Sequence, residues 1–147
     1  MDKAIKTLIV DDNDINQMVL NAILSSQSER LQGTIGQHYP FDVKRMGDAA
    51  SALEELDILQ FDLICTDLLM PYMNGEEFVI RLAESGYKGA LVIMTQVTEH
   101  TQTFINRIRK TYPGCAVLNK PFLYKEVSDS IARVLNLPLG LTSDNIK

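Results

Sequence analysis

The chain has 147 residues, a length that fits one domain, and hydrophobic residues make up 46% of it, enough for a core. Its net charge of −5 argues against a nucleic-acid partner, because a protein that binds a phosphate backbone needs a basic face. No apolar run approaches the ~20 residues of a membrane span, and the N-terminal apolar run is too short for a signal peptide. We therefore expect a cytoplasmic protein without a membrane span.

The first predicted unit is a strand followed by a helix. The strand covers residues 4–10 and stops at two aspartates, and Asn13 or Asp14 can cap a helix over residues 14–28. The prediction of a helix rests on residues that recur at helical spacing, namely Ile15, Met18, Val19, Ala22 and Ile23.

The alternation of strands and helices continues to the end of the chain. A second strand over residues 41–46 leads to a helix that Asp48 opens, with one apolar face made of Ala52, Leu53, Leu56 and Leu59. Further strands are predicted over residues 61–67, 89–95 and 115–118, and further helices over residues 75–84, 98–110 and 122–136. The long segment over residues 25–40 is an extended helix plus a surface loop in one interpretation; a tolerated insertion and a partner contact stay open.

Five alternations of this kind predict an α/β fold, with a parallel sheet covered by helices on both faces. In such folds the ligand site lies outside the carboxyl ends of the strands, where the strand order reverses. We expect one domain over residues 1–137 and a C-terminal tail or truncated linker over residues 138–147.

Chemically active side chains lie at or just beyond the carboxyl ends of four predicted strands. They are Asp11, Asp12, Asp67, Thr95 and Lys120. Three carboxylates close together repel one another unless a cation joins them, and hard oxygen ligands suit Mg²⁺. An aspartate can accept a phosphoryl group covalently, while a metal ion and an ammonium neutralise the transferring oxygens. This edge therefore predicts a phosphoryl acceptor, with Asp67 as the accepting residue.

Four motifs in order, "LIVDDN", "ICTDLLMPYMNG", "VIMT" and "LNKPF", resemble the receiver domains of two-component response regulators. The resemblance covers residues 4–136 and fits a single-domain response regulator or the receiver of a hybrid histidine kinase. It implies a flavodoxin-like (βα)5 three-layer sandwich with five parallel strands in the order 2-1-3-4-5.

The resemblance also implies a Mg²⁺ site at the acidic edge. Asp12 would bind the ion directly and Asp11 through water, with Asp67 and the main-chain carbonyl of Leu69 as further ligands. The ion is the one cofactor that the resemblance implies.

The catalytic roles follow from the same resemblance. Asp67 would be the phosphorylated residue, Lys120 would pair with the phosphoryl group, and Thr95 would be the switch hydroxyl, with a cis bond between Lys120 and Pro121. A histidine kinase or a histidine phosphotransfer protein would donate the phosphoryl group, and an unidentified downstream protein would read it. Such a protein catalyses only its own phosphorylation and dephosphorylation and is not a turnover enzyme.

Two alternatives stay open. Asp12 and Asp14 form the D-x-D pair that haloacid-dehalogenase-like phosphatases carry after their first strand. Val117 and Gln96 stand where the family often has an aromatic and a small residue, which leaves room for a pseudo-receiver that docks a partner without phosphorylation.

Overall fold

The computed structural model describes residues 4–35 and 40–137, with side chains over 4–28 and 40–137. The strands are β1 Ile5–Val10, β2 Phe41–Met46, β3 Leu63–Asp67, β4 Ala90–Thr95 and β5 Ala116–Asn119. The helices are α1 Asp14–Ile35, α2 Ala49–Glu55, α3 Gly75–Glu84, α4 Glu99–Thr111 and α5 Tyr124–Val134, with a 3₁₀ turn at Ile58–Gln60. The predicted tail over residues 138–147 lies outside the described residues.

The five strands form one parallel sheet in the order β2-β1-β3-β4-β5, which confirms the predicted fold class and strand order. The strand order reverses at β1, because β1 pairs with β2 on one side and with β3 on the other. The carboxyl ends of β1 and β3 therefore flank the crevice in which ligands bind in folds of this type.

Two apolar clusters lie on the two faces of the sheet and make a three-layer sandwich. One packs α2, α3 and α4 against the sheet through residues such as Ala52, Phe78 and Ile105. The other packs α1 and α5 through residues such as Leu20, Leu24, Val127 and Ile131. Each fully buried side chain of this size contributes roughly 1.5–3 kcal/mol to folding, so the two clusters fix the elements that carry the site.

The helix predicted from the spaced apolar residues is present as α1, but most of those residues do not face the core. Ile15, Met18 and Val19 are 69%, 59% and 40% exposed, and of the predicted set only Ile23 is buried. Buried instead are Gln17, Leu20, Leu24 and Gln27. Apolar side chains occur on two neighbouring stripes of this helix, and the stripe facing the sheet includes polar residues whose partners the sequence does not reveal.

The long segment after α1 is partly helical. α1 continues past the predicted end at residue 28 to Ile35, so the interpretation as an extended first helix is confirmed. Residues 36–39 lie outside the described residues. Asn13 caps the start of this helix, because its side-chain oxygen accepts the N–H of Asn16 at 3.0 Å.

The second helix is shorter than predicted. It ends at Glu55, and Leu59 lies in the 3₁₀ turn with 58% of its surface exposed. Asp57 accounts for the break, since its side chain accepts the N–H of Leu59 at 3.3 Å and caps the new turn. The boundaries of the later elements agree with prediction within two residues.

Candidate functional site

The predicted site residues converge on one edge of the sheet. Asp67 and Thr95 end β3 and β4, while Asp11 and Lys120 directly follow β1 and β5. Carboxylate oxygens from Asp11, Asp12 and Asp67 all lie within 4.8 Å of one another. The first and third of these aspartates are buried, and Asp12 is exposed, so the cluster opens to solvent on the Asp12 side.

Lys120 bridges two of the carboxylates. Its Nζ donates to Asp11 Oδ2 at 2.9 Å and to Asp67 Oδ2 at 3.0 Å. Burial disfavours the charge on Lys120, but hydrogen bonds and attraction from the two carboxylates outweigh burial and raise its pKa. Lys120 is therefore a fixed cation at neutral pH.

Asp67 is held by both of its side-chain oxygens. Oδ1 accepts the N–H of Leu68 at 2.7 Å and of Leu69 at 3.3 Å, and Oδ2 accepts from Lys120. Burial raises the pKa of Asp67, nearby Asp11 adds to the rise, and Lys120 and the Leu69 N–H oppose it. The Asp67 carboxylate is thus held in one orientation, but burial and the nearby Asp11 disfavour its negative charge. An added cation would stabilise that charge.

The loop between β3 and α3 holds the Asp67 main chain in place. The Gly75 N–H donates to the Leu68 carbonyl at 2.7 Å, and a Cβ on Gly75 would lie 2.5 Å from the Asp67 carbonyl oxygen. Tyr72, in the same loop, has a φ of 69°, a left-handed conformation that is costly for an aromatic residue. Leu69 lies in this loop beside Asp67, and the ligand role of its carbonyl stays a prediction.

Thr95 is buried, with 1% of its surface exposed. Its Oγ1 lies 3.5 Å from the Gln96 carbonyl oxygen, which is the outer limit of a hydrogen bond. Thr101, from the first turn of α4, donates to the same carbonyl at 3.1 Å. The Thr95 hydroxyl is therefore weakly held and can turn toward a stronger acceptor.

Sequence reasoning missed Gln17. Its Nε2 donates to the main-chain carbonyls of Asp11, at 2.6 Å, and Met46, at 3.0 Å. A glutamine in a helix is ordinarily solvated, and no pattern in the sequence separates this residue from an exposed one. Only the packing of α1 against the ends of β1 and β2 shows its contact with the site.

The family model of the response regulator receiver domain matches residues 7–132. The chain belongs to this family. Over 128 residues the receiver is 29% identical to the response regulator receiver protein CpdR of Brucella abortus, a match that covers 87% of this chain and 93% of CpdR. Over 76 residues, 52% of this chain, it is 32% identical to the autoinducer 2 sensor kinase/phosphatase LuxQ of Vibrio cholerae, of which it spans 8%.

Solved structures agree with the family assignment. The receiver matches the chemotaxis protein CheY4 of Vibrio cholerae with a TM-score of 0.62 and 27% identity, covering 90% of this chain and 99% of that chain. It also matches the signal receiver domain of an HD domain-containing protein from Pseudomonas fluorescens with a TM-score of 0.71; at 19% identity this likeness shows the fold alone.

The side chains at the edge of the receiver fit a magnesium ion, which receiver domains bind at an acidic pocket. Among the described residues, three carboxylates face one ammonium there, so two negative charges are left without a counter-ion in that part of the chain. Ligand oxygens around Mg²⁺ lie about 3 to 4 Å apart, a spacing that a cluster within 4.8 Å can meet with small shifts.

The structure also bears on three further predictions made from the sequence. The bond between Lys120 and Pro121 is cis, as predicted. Over residues 4–35 and 40–137, no helix has the length and apolar character of a membrane span. Asp14 begins α1, is exposed and lies outside the carboxylate cluster, so the D-x-D pair of a haloacid-dehalogenase-like phosphatase is not favoured.

Proposed function

We propose that this receiver is a phosphoacceptor switch in which Asp67 is phosphorylated in the presence of Mg²⁺. The observation that carries the proposal is the arrangement around Asp67. Its carboxylate ends a buried strand, is oriented by two main-chain N–H groups and Lys120, and shares a cluster with two further carboxylates. A docking module without phosphorylation has no need to hold three carboxylates together, which counts against the pseudo-receiver.

The chemistry transfers one phosphoryl group. A carboxylate oxygen of Asp67 attacks the phosphorus of a phosphohistidine; the new O–P bond forms as the P–N bond breaks, and the leaving imidazole nitrogen takes up a proton from solvent. Lys120 donates to an oxygen of the transferred group, whose negative charge it offsets. A bound Mg²⁺, held by Asp11, Asp12, Asp67 and the Leu69 carbonyl, would supply further positive charge.

The phosphorylated state would change the surface through Thr95. A phosphoryl oxygen is a far stronger acceptor than the Gln96 carbonyl at 3.5 Å, so the Thr95 hydroxyl turns toward it. The loop before α4 then loses one of two donors to that carbonyl, while Thr101 keeps the other. Each chain accepts and later releases its own phosphoryl group, so the receiver is a switch and not a turnover enzyme.

Intact mass after incubation with Mg²⁺ and acetyl phosphate tests the proposal. We expect a phosphate adduct on the wild type that disappears with EDTA and with Asp67→Asn. Asp14→Asn is the matched control, because this exposed aspartate lies outside the cluster, and it should keep the adduct. Phosphate on Asp67→Asn would contradict the assignment. If the wild type takes up no phosphate and also does not bind beryllofluoride, the docking module is favoured.

The partner that donates the phosphoryl group is proposed to be a histidine kinase or a histidine phosphotransfer protein in the cytoplasm. Such a donor must bring its histidine to Asp67, so it must cover the rim where α1 begins. The exposed stripe of α1, formed by Ile15, Met18 and Val19, starts at this rim. Exposed apolar side chains that form a patch mark protein interaction sites, which supports α1 as the docking helix.

Met18→Glu should slow phosphoryl transfer from a phosphorylated histidine phosphotransfer protein by about tenfold or more, since a charge in a docking centre costs over 1.4 kcal/mol. The rate with acetyl phosphate should stay unchanged, because Met18 is 59% exposed and is not a member of the carboxylate cluster. Leu59→Glu is the control: Leu59 is equally exposed, at 58%, but precedes β3 at the other edge of the sheet. Equal slowing by both variants would count against α1 as the docking helix.

A further inference from the structure

We propose that Gln17 is a positioning residue for the cation site: its side-chain amide fixes the main chain that carries Asp11 and Asp12 and thereby raises the affinity for Mg²⁺. This inference rests on the proposed function and deepens it. The amide nitrogen of Gln17 bonds to main-chain carbonyls and not to the carboxylates, so it acts through the peptide of Asp11.

The main chain of Asp11 is held from both sides. Its N–H donates to the Met46 carbonyl at 3.1 Å, and its own carbonyl accepts from Gln17 Nε2 at 2.6 Å. The same Gln17 amide donates to the Met46 carbonyl at 3.0 Å. The Gln17 side chain thus connects the carboxyl ends of β1 and β2 at Asp11, the first residue of the acidic pair Asp11 and Asp12.

Gln17 is built into the fold and does not lie on its surface. Only 5% of the residue is exposed, and two main-chain carbonyls accept its two amide hydrogens. A buried carbonyl that loses its donor is costly, so the contact resists displacement. Gln17 is separated in sequence from Asp11 by six positions and from Met46 by 29, so its amide joins distant parts of the chain.

The cluster needs such a restraint when no cation is bound. Three carboxylates within 4.8 Å repel one another, and the simplest relief is a shift of the exposed Asp12 and the peptide before it. The side chain of Asp11 is already bound by the Asn13 N–H at 2.9 Å and by Lys120. The Gln17 amide restrains the main chain as well. A site that keeps its geometry while empty loses less free energy to ordering when the ion binds.

α1 offers a matched control on its buried face. Gln27 is also buried, with 1% exposed, and its Nε2 donates to the Ser128 carbonyl of α5 at 3.0 Å. It lies ten residues further along the same helix, away from the carboxyl edge. Gln17→Met and Gln27→Met each replace a buried amide by a side chain of similar length without donors.

The experiment is calorimetric titration of Mg²⁺ into the wild type and both variants, without phosphodonor, beside urea unfolding of each. We expect Gln17→Met to raise the Mg²⁺ dissociation constant about tenfold, and Gln27→Met to leave it within twofold although both variants lower the urea midpoint. The rate with acetyl phosphate should fall for Gln17→Met at low Mg²⁺ and recover at saturating Mg²⁺. Equal Mg²⁺ affinity of Gln17→Met and wild type would overturn the inference.

A measurement on the wild type covers the case in which Gln17→Met does not fold. Linkage is reciprocal, so if the Gln17 contacts strengthen Mg²⁺ binding, Mg²⁺ must strengthen the Gln17 contacts by the same factor. We expect Mg²⁺ to slow solvent exchange of the Gln17 side-chain amide hydrogens about tenfold in NMR spectra, and to leave those of Gln27 unchanged. Unchanged exchange at Gln17 would overturn the inference.

The two hypotheses fail in different ways. If the wild type binds no Mg²⁺ and takes up no phosphate, the proposed function fails, and the positioning role fails with it. If the wild type does both and Gln17→Met matches it, only the positioning role fails.

Discussion

Replacing Lys120 by methionine is expected to lower the rate of Asp67 phosphorylation by about 10²- to 10³-fold, the usual cost of removing a preorganised donor to developing charge. Lys120 is the one cation that bonds to both Asp11 and Asp67 among the described residues, with distances of 2.9 and 3.0 Å. The variant keeps an unbranched side chain up to the Cε position and removes the ammonium group with its charge and its donors. Intact mass over time with acetyl phosphate measures the rate.

The same substitution should affect metal binding and stability in opposite directions. Without Lys120, the cluster carries one more uncompensated negative charge, so Mg²⁺ should bind more tightly while phosphorylation becomes slower. In EDTA, the free energy of unfolding should fall by about 3 kcal/mol, because Asp11 and Asp67 lose their only cationic partner in the described part of the chain, and added Mg²⁺ should restore part of the loss.

A lysine outside the site provides the control for this experiment. Lys88 is exposed and precedes β4 at the opposite edge of the sheet. Lys88→Met should change neither the rate nor the Mg²⁺ affinity. If Lys120→Met is phosphorylated as fast as wild type, the role assigned to Lys120 is wrong.

Gly75→Ala is expected to destabilise the receiver by about 3 kcal/mol, which places it in the upper part of the range for point mutants. The new Cβ would lie 2.5 Å from the carbonyl oxygen of Asp67 and 2.7 Å from the Cα of Leu68. Both are main-chain atoms, so no side-chain rotation relieves the overlap. The loop must move, and it carries the N–H groups that orient Asp67. Urea unfolding measures the cost.

The loop movement should also be visible in the chemistry. We expect the phosphate adduct of Gly75→Ala to form at least tenfold more slowly under conditions in which the protein remains folded, since misplacement of a reacting group by about 1 Å can cost 10²-fold. Gly47→Ala is the matched control. Gly47 follows β2 at the same edge, and a Cβ there meets nothing within 4 Å. Equal stability of Gly75→Ala and Gly47→Ala would show that the close approach does not constrain the loop.

The amino-acid sequence alone predicted the fold class and the edge of the sheet at which Asp11, Asp67 and Lys120 meet, and the structure brings these side chains together. Five apolar runs separated by helical patterns require a parallel sheet, and carboxyl ends of parallel strands meet at one edge. A residue that stops a strand, such as Asp67, therefore has a predictable place even though its neighbours in space lie far away in sequence. The strand order and the cis Lys120–Pro121 bond came from the resemblance to receiver domains, and the structure confirms both.

The orientation of α1 and the support of the acidic cluster were decided only by the tertiary structure. Local periodicity finds apolar stripes, but it cannot choose between two stripes when the buried one contains glutamines. Gln17 and Gln27 are buried because main-chain carbonyls of Met46 and Ser128, 29 and 101 residues away, accept their hydrogens. The free energy of burying a polar side chain depends on such distant partners, and these partners come together only when the chain has folded.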